Sequence, residues 1–143
     1  MCKKIIVVLC LLGSLLMAET KFTTVYIGDH EFNVEIADTL EKMALGLMYR
    51  GSIPENFGML FVHDSEQTRS MWMKNTLIHL DLIFLDRDRR VVDMYINVPP
   101  CESDPCPSYY SRKRAQYVLE LRGNRATELN LKVGDSVFFI LPE

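Results

Sequence analysis

The stretch of residues 71–86 constrains the fold more than any other part of the chain. It begins beside the only tryptophan, Trp72, and ends in the apolar run of residues 82–85. A strand that is apolar on both faces has to be covered on both sides, so residues 82–85 predict a central strand of a sheet. The same stretch carries three polar side chains that a sealed core would exclude, Lys74, Asn75 and Asp81. We therefore expect a buried sheet that opens onto a site.

Short β-rich runs separated by turn signals surround this stretch and predict a sandwich or barrel. The predicted strands are residues 22–27, 31–36, 59–62, 69–74, 82–85, 91–98, 117–121 and 136–141. Residues 63–68 are polar and predict a loop. One helix is predicted near residues 39–49, where Asp38 and Glu41 have capping-box spacing and four apolar residues share one face: Leu40, Met43, Ala44 and Leu47. Asn124 is predicted to cap a single helical turn.

The first 18 residues have the pattern of an export signal. Lys3 and Lys4 precede an apolar segment, and the small residue Ala18 follows it. The alternative is a retained membrane anchor, but the apolar segment is short against the ~20 residues that a span needs. We predict cleavage after Ala18, a single β domain over residues 19–143 with no stable membrane span, and a periplasmic or extracellular location.

The charge balance excludes some partners. Residues 1–18 carry two basic and no acidic residues, so their removal changes the net charge from −3 to −5. Nucleic-acid affinity depends on neutralised phosphates, and anionic lipid also attracts basic surfaces. We therefore expect neither nucleic acid nor anionic lipid as a partner, and we predict a monomer.

The two cysteines beyond the signal, Cys101 and Cys106, lie in a proline-rich loop spanning residues 99–115. In an oxidising compartment this pair predicts a disulfide. The alternatives fit less well, because a redox motif has two residues between its cysteines and a zinc site needs more ligands. A loop of this length in a small domain is usually functional when it is ordered.

Six motifs, spread from about Thr23 to Phe139, together resemble the family called domain of unknown function 192. The resemblance rests on Gly46-Leu47-Met48-Tyr49-Arg50, Gly58-Met59-Leu60-Phe61-Val62, Trp72-Met73-Lys74-Asn75-Thr76, Leu80-Asp81-Leu82-Ile83-Phe84, Tyr117-Val118-Leu119-Glu120-Leu121 and Gly134-Asp135. It implies a mainly β fold, a small sandwich or barrel of jelly-roll type, and it implies no reaction. The cysteine loop resembles a version found in exported members. Met71 and His79 depart from the family pattern, which often has an aromatic residue and a proline there.

The polar residues beside apolar walls favour a binding module for a small polar ligand or an envelope protein, without a cofactor. The candidate ligand-binding residues are Arg50, Trp72, Lys74, Asn75, Asp81, Tyr109 and Glu120. The structural alternative is a buried ion pair of Asp81 with Lys74 or Arg50, with Asn75 in a turn conformation that it tolerates.

Two further functions remain as alternatives. The first is a copper protein, because thioethers suit Cu(I) and because Met71 and Met73 share a strand face that His79 could join. The second is a hydrolase-like enzyme in which Asp81 and Glu120 act as an acid and a base. The sequence contains no nucleophile-elbow, phosphate-loop or zinc-protease motif that would support an enzyme.

Overall fold

A computed structural model describes residues 19–143 as a mainly β domain, which confirms the predicted fold class. Its elements are β1 (Phe22–Ile27), β2 (His30–Ala37), α1 (Leu40–Leu45), β3 (Phe57–Gln67), β4 (Ser70–Trp72), β5 (Leu80–Leu85), β6 (Val91–Val98), β7 (Ser108–Tyr110), β8 (Ala115–Arg122), α2 (Arg125–Glu128) and β9 (Phe138–Phe139). The predicted signal peptide, residues 1–18, lies outside the described residues. Within residues 19–143, no helix has the length and apolar character that crossing a membrane requires.

Seven strands form one curled sheet in the order β6-β5-β8-β3-β2-β1-β9. All neighbouring strands are antiparallel except β2 and β3. The edges of the sheet meet at one end, where Arg90 and Ser136 form a bridge and the Val91 N–H donates to the Asp135 carbonyl at 2.9 Å. The sheet is therefore a curled half-barrel. Strands β4 and β7 form a separate two-stranded ribbon.

Strand β5 is buried along its whole length between β6 and β8, as the apolar run predicts. Its two faces belong to two cores. Ile83 and Leu85 join an inner core that contains residues from all seven strands of the sheet. Leu82 and Phe84 join an outer core, which Leu47 and Met73 cover from the segments after α1 and β4. The outer face is therefore closed by short elements, and the candidate site lies there.

Two local predictions are wrong. The predicted loop at residues 63–68 mostly belongs to β3, because pairing with β8 continues past a register shift to Gln67 and Ala115. The predicted helix is shorter, and Thr39 rather than Asp38 is its N-cap, with the Thr39 hydroxyl accepting from the Lys42 N–H at 3.2 Å.

Helix α1 is also packed more weakly than predicted. None of its residues is buried, and Leu40 on the predicted apolar face is 87% exposed. The helix ends at Gly46, whose φ of 50° and ψ of −135° are available to glycine and to few other residues. A six-residue helix contributes little stability by itself, so α1 is a thin cover over the outer core.

Candidate functional site

Asp81 joins three segments of backbone at one end of the sheet. Its fully buried carboxylate accepts from the N–H groups of Asn97 and Asn124, each at 2.8 Å, and of Ala126 at 2.6 Å. Asn97 and Asn124 both have positive φ, so Asp81 satisfies the backbone donors of two tight turns. The ion pair with Lys74 or Arg50, which was the structural alternative to a binding site, is not formed, because those side chains pair with other carboxylates.

Glu120 lies close to Asp81 in the sheet but on the opposite face. In the register of β5 and β8, Asp81 is opposite Leu121 and Leu82 is opposite Glu120. Cross-strand partners share a face, and successive residues alternate between faces. Asp81 therefore points with Leu121 and Glu120 points with Leu82. The acid–base pair suggested for a hydrolase is not assembled.

Glu120 is a buried carboxyl group without an ion-pair partner among residues 19–143. It is 4% exposed, and its strand neighbours are Met59 and Leu82, both buried and apolar. None of the ion pairs or side-chain hydrogen bonds in this part of the chain involves it. Burial in these surroundings raises the pKa of Glu120 to about 8, because a charged carboxylate is poorly solvated there.

A small cavity of about 30 Å³, here called the Glu120 cavity, leads to this carboxyl group. Its lining contains Met43, Ala44, Leu45, Gly46, Leu47, Met48, Phe61, Met71, Trp72, Thr76 and Glu120. Leu45 and Trp72 are about half exposed, whereas Leu47 and Phe61 are buried. The cavity therefore extends from the surface inward to Glu120.

Gly46 shapes the wall of this cavity. A Cβ atom added at Gly46 would lie 3.4 Å from the Phe61 ring, at the tight limit of normal packing. The positive φ at Gly46 turns the chain away from α1 at this point, so that Leu47 can enter the outer core. The sequence therefore encodes both the end of the helix and the cavity wall at one glycine.

Trp72 and its neighbours form the rim of the cavity. The Lys74 ammonium lies 5.5 Å from the centre of the Trp72 ring and 3.5 Å from the Asp104 carboxylate in the cysteine loop. Asn75 has the predicted turn conformation, with φ of 53°, and its side-chain amide donates to the Tyr49 hydroxyl at 2.9 Å. These contacts connect the segment after β4 with the segments after α1 and after β6.

Arg50 lies in a neighbouring cleft of about 450 Å³, here called the Arg50 cleft. It forms a two-pronged ion pair with Glu35, with N–O distances of 2.7 and 2.8 Å. Leu45 and Gly46 line both the Arg50 cleft and the Glu120 cavity. The end of α1 therefore separates the two, and Arg50 already has a carboxylate partner in its own cleft.

The remaining candidates lie elsewhere. Tyr109 and Met73 line a third cleft, against the loop in which Cys101 and Cys106 form the predicted disulfide. Met71 lines the Glu120 cavity, and His79 is exposed and lines neither. The three suggested copper ligands therefore do not line a common cavity in the described part of the chain. Within residues 19–143, no group of three or more His, Cys, Asp or Glu residues is placed to hold a metal ion.

Of the seven sequence candidates, Trp72 and Glu120 line one cavity, and Lys74 and Asn75 lie at its rim. The structure adds residues from α1 and just after it that sequence reasoning missed: Leu45, Gly46 and Met48. A signal for Leu45 was present, because it is an apolar residue outside the predicted apolar face of the helix. An apolar residue off the buried face of a short helix is a candidate for contact with something other than the core.

Comparison with known proteins identifies the family. The family model DUF192, described as uncharacterized ACR, matches residues 23–139. A UPF0127 protein from Thermococcus sibiricus is 32% identical over 106 residues, which cover 73% of this chain and 64% of that protein. The chain thus spans slightly less than two thirds of the length of that relative. A UPF0127 protein from Pyrococcus abyssi is 33% identical over 117 residues, covering 77% of this chain and 88% of that protein.

Two solved structures share the fold. A protein from Sinorhizobium meliloti 1021, titled as a candidate transcription regulator, superimposes with a TM-score of 0.75 at 29% identity, covering 85% of this chain and 94% of that one. A protein of unknown function from Novosphingobium aromaticivorans superimposes with a TM-score of 0.74 at 33% identity, covering 83% and 84%.

Proposed function

The chain belongs to the DUF192 family, and we propose that this member is an exported, monomeric binding module that takes a small ligand at the Glu120 cavity. One observation carries the proposal: Glu120 is buried at the end of a cavity and has no partner among residues 19–143. Burying a carboxyl group without a partner costs free energy that an apolar residue at this position would not cost. A ligand that pairs with Glu120 would supply the missing partner and so explain why a carboxyl group is kept at this position.

The rim of the cavity supports the same proposal. Trp72 and Leu45 are large apolar side chains left about half exposed beside the opening, and Tyr49 next to them is also exposed. Tryptophan and tyrosine provide large contact areas at low entropic cost, and they are enriched where proteins bind partners. Small-ligand sites combine apolar walls with a few polar groups that fix orientation, and the Glu120 cavity has this combination on the scale of one ligand group.

Export remains part of the proposal. It is supported by the signal pattern of residues 1–18 and by the Cys101–Cys106 disulfide, because such bonds persist in oxidising compartments. Secretion of the full-length chain, followed by mass spectrometry of the mature protein, tests this part. A mature chain starting at Glu19 supports export, and an intact chain in the cytoplasm contradicts it.

Trp72 fluorescence tests the binding proposal, because the chain has no other tryptophan. Purified protein is titrated with a panel of metabolites, sugars, amines and short peptides, and the melting temperature is measured in parallel. We expect at least one compound to shift both signals. Glu120→Gln should abolish both shifts, whereas the matched control Glu31→Gln, at an exposed position on β2, should preserve them. A panel without any effect contradicts the proposal.

A further inference from the structure

Resting on the proposed function, we propose that the group entering the Glu120 cavity is a primary alkylammonium, a –CH₂–NH₃⁺ head on an unbranched methylene chain. Two sources share this chemistry, a free alkylamine or diamine and the lysine side chain of a peptide. Three properties of the cavity carry the inference: its charge, its size and the character of its walls.

Charge selects a cation. Among residues 19–143, Glu120 is the only titratable residue that lines the cavity, and none of the lining residues is basic. A carboxyl group in such surroundings gains most from a partner that brings a positive charge and hydrogen-bond donors. An ammonium group has three donors and no acceptor. Thr76 also lines the cavity, and its hydroxyl, which donates to the Lys74 carbonyl at 3.3 Å, keeps its oxygen as an acceptor.

Size selects a primary ammonium among the cations. A volume of about 30 Å³ holds one or two groups of the size of a water molecule, and an –NH₃⁺ group is of that size. The planar guanidinium group and the quaternary ammonium group are larger, and neither fits without moving the cavity walls. The larger Arg50 cleft differs in size and charge, because acidic and basic side chains line it together and Arg50 already pairs with Glu35.

The walls suit a methylene chain. The cavity lining includes Leu45, Met48, Met71 and Trp72, and an alkyl chain can pack against their apolar surfaces. The Trp72 ring already has one ammonium nearby, that of Lys74 at 5.5 Å, as expected for the attraction between a cation and an aromatic face. Asp104 holds Lys74 at the rim rather than at Glu120.

This site has a defined pH dependence. Below pH 8 the Glu120 carboxyl is mostly protonated, so binding an ammonium releases one proton, and affinity rises up to tenfold per pH unit as pH increases to about 8. Few other charged groups lie near Glu120. Its neighbours on β3 and β5, Met59 and Leu82, are uncharged, and β4 contains no charged residue.

Arg122, two residues along β8 on the same face as Glu120, pairs with Glu55 and Glu128 and does not line the cavity. Three other charged side chains belong to other surfaces. On α1, Glu41 and Lys42 line the Arg50 cleft. After β4, Lys74 pairs with Asp104. None of the three lines the Glu120 cavity, so the pH dependence is assigned to Glu120.

Three matched probes test the inference: n-pentylamine, n-pentanol and n-pentanoate. Each is titrated by Trp72 fluorescence at pH 6, 7 and 8 against the wild-type protein and Glu120→Gln. We expect n-pentylamine to bind at least tenfold more tightly than n-pentanol at pH 8, with an affinity that rises with pH. Glu120→Gln should lose this tenfold preference and its pH dependence, and n-pentanoate should not bind. Glu31→Gln is the charge-matched control.

Further arms separate the two sources. 1,5-Diaminopentane and the capped tripeptide acetyl-Gly-Lys-Gly-amide carry the same head group, and the tighter binder identifies the source. Equal affinity for pentanol and pentylamine, unchanged by Glu120→Gln, overturns the ammonium inference. The proposed function then stands if another compound of the metabolite panel binds the wild type and fails to bind Glu120→Gln. If neither the probes nor any compound of the metabolite panel changes the Trp72 fluorescence or the melting temperature, both the ammonium inference and the proposed function are overturned.

Discussion

Asp81 and Glu120 are two buried carboxyl groups on neighbouring strands, and their surroundings differ completely. Asp81 accepts three backbone hydrogen bonds on one face of the sheet, whereas Glu120 has no partner in the described part of the chain on the other face. One group closes the fold, and the other lies at the end of a cavity. Burial alone therefore does not indicate the role of a carboxyl group. Its hydrogen-bond partners indicate whether the group is structural or is available to a ligand.

The elements beside the two groups differ in the same way. The four-residue helix α2 is held by the hydrogen bond from the Ala126 N–H to Asp81, and Ala126 is buried in the inner core. Helix α1, beside Glu120, has no buried residue and is fixed mainly by its Thr39 cap and surface ion pairs. The side of the molecule that carries the cavity is therefore the side with the weaker cover.

The largest expected effect is on Asp81. Asp81→Asn keeps one acceptor oxygen but places an amide donor against backbone N–H groups, so at least one buried donor loses its partner. We expect the free energy of unfolding to fall by about 3 kcal/mol or more. Urea unfolding at pH 7 measures it. Asp135→Asn is the matched control, because its carboxylate accepts one N–H, from Lys132, at an exposed turn. A loss under about 1 kcal/mol for Asp81→Asn would break the comparison.

The second prediction concerns Glu120 and pH. Its pKa of about 8 in the folded protein lies above the ordinary value of 4.5, so the folded state keeps a proton that the unfolded state has released. Its contribution to stability is complete below pH 4.5 and is lost as pH rises to about 8. Relative to Glu120→Gln, the wild type should lose about 3 kcal/mol between pH 6 and pH 9.

Denaturant unfolding of both proteins at several pH values measures this difference. Glu120→Gln removes only the one titrating group, so other ionisations cancel in the comparison. A difference between the two proteins that stays constant from pH 6 to pH 9 would mean that Glu120 is ionised in the folded state. Glu120 and Asp81 would then both be ionised in the folded protein, and they would differ only in the number of their hydrogen-bond partners.

The sequence predicted the sheet better than the site, for a physical reason. The apolar run at residues 82–85 can only be satisfied by cover on both faces, so its central place in the sheet follows from composition. A carboxyl group between apolar residues gives no such information. Asp81 and Glu120 look alike in their strands, and only the register places one beside three free N–H groups and the other beside Met59.

The cavity was beyond prediction because its walls come from separate elements. Gly46 after α1, Phe61 on β3 and Trp72 on β4 meet at Glu120 only through the packing of the outer core. The helix cap was missed because Asp38 and Thr39 are both good N-cap residues, and local sequence does not choose between them. In the structure Asp38 instead pairs with Lys21 and Lys42.

The smallest expected effect sharpens the contrast between the two helices. Thr39→Ala removes the hydroxyl that accepts from the Lys42 N–H, a loss of about 1 kcal/mol for the helix. Because α1 has no buried residue, we expect this loss to appear as local opening. Hydrogen exchange of the Met43 and Gly46 amides, which bond within the helix, should become about fivefold faster. Exchange of the Ala126 amide on α2, bonded to Asp81, should not change.

Thr39→Ser keeps the hydroxyl and should exchange like the wild type. Equal acceleration of exchange in both helices would show that α1 opens only when the whole domain unfolds. The free energy needed to open the cover over the Glu120 cavity would then equal that needed to open the segment bonded to Asp81.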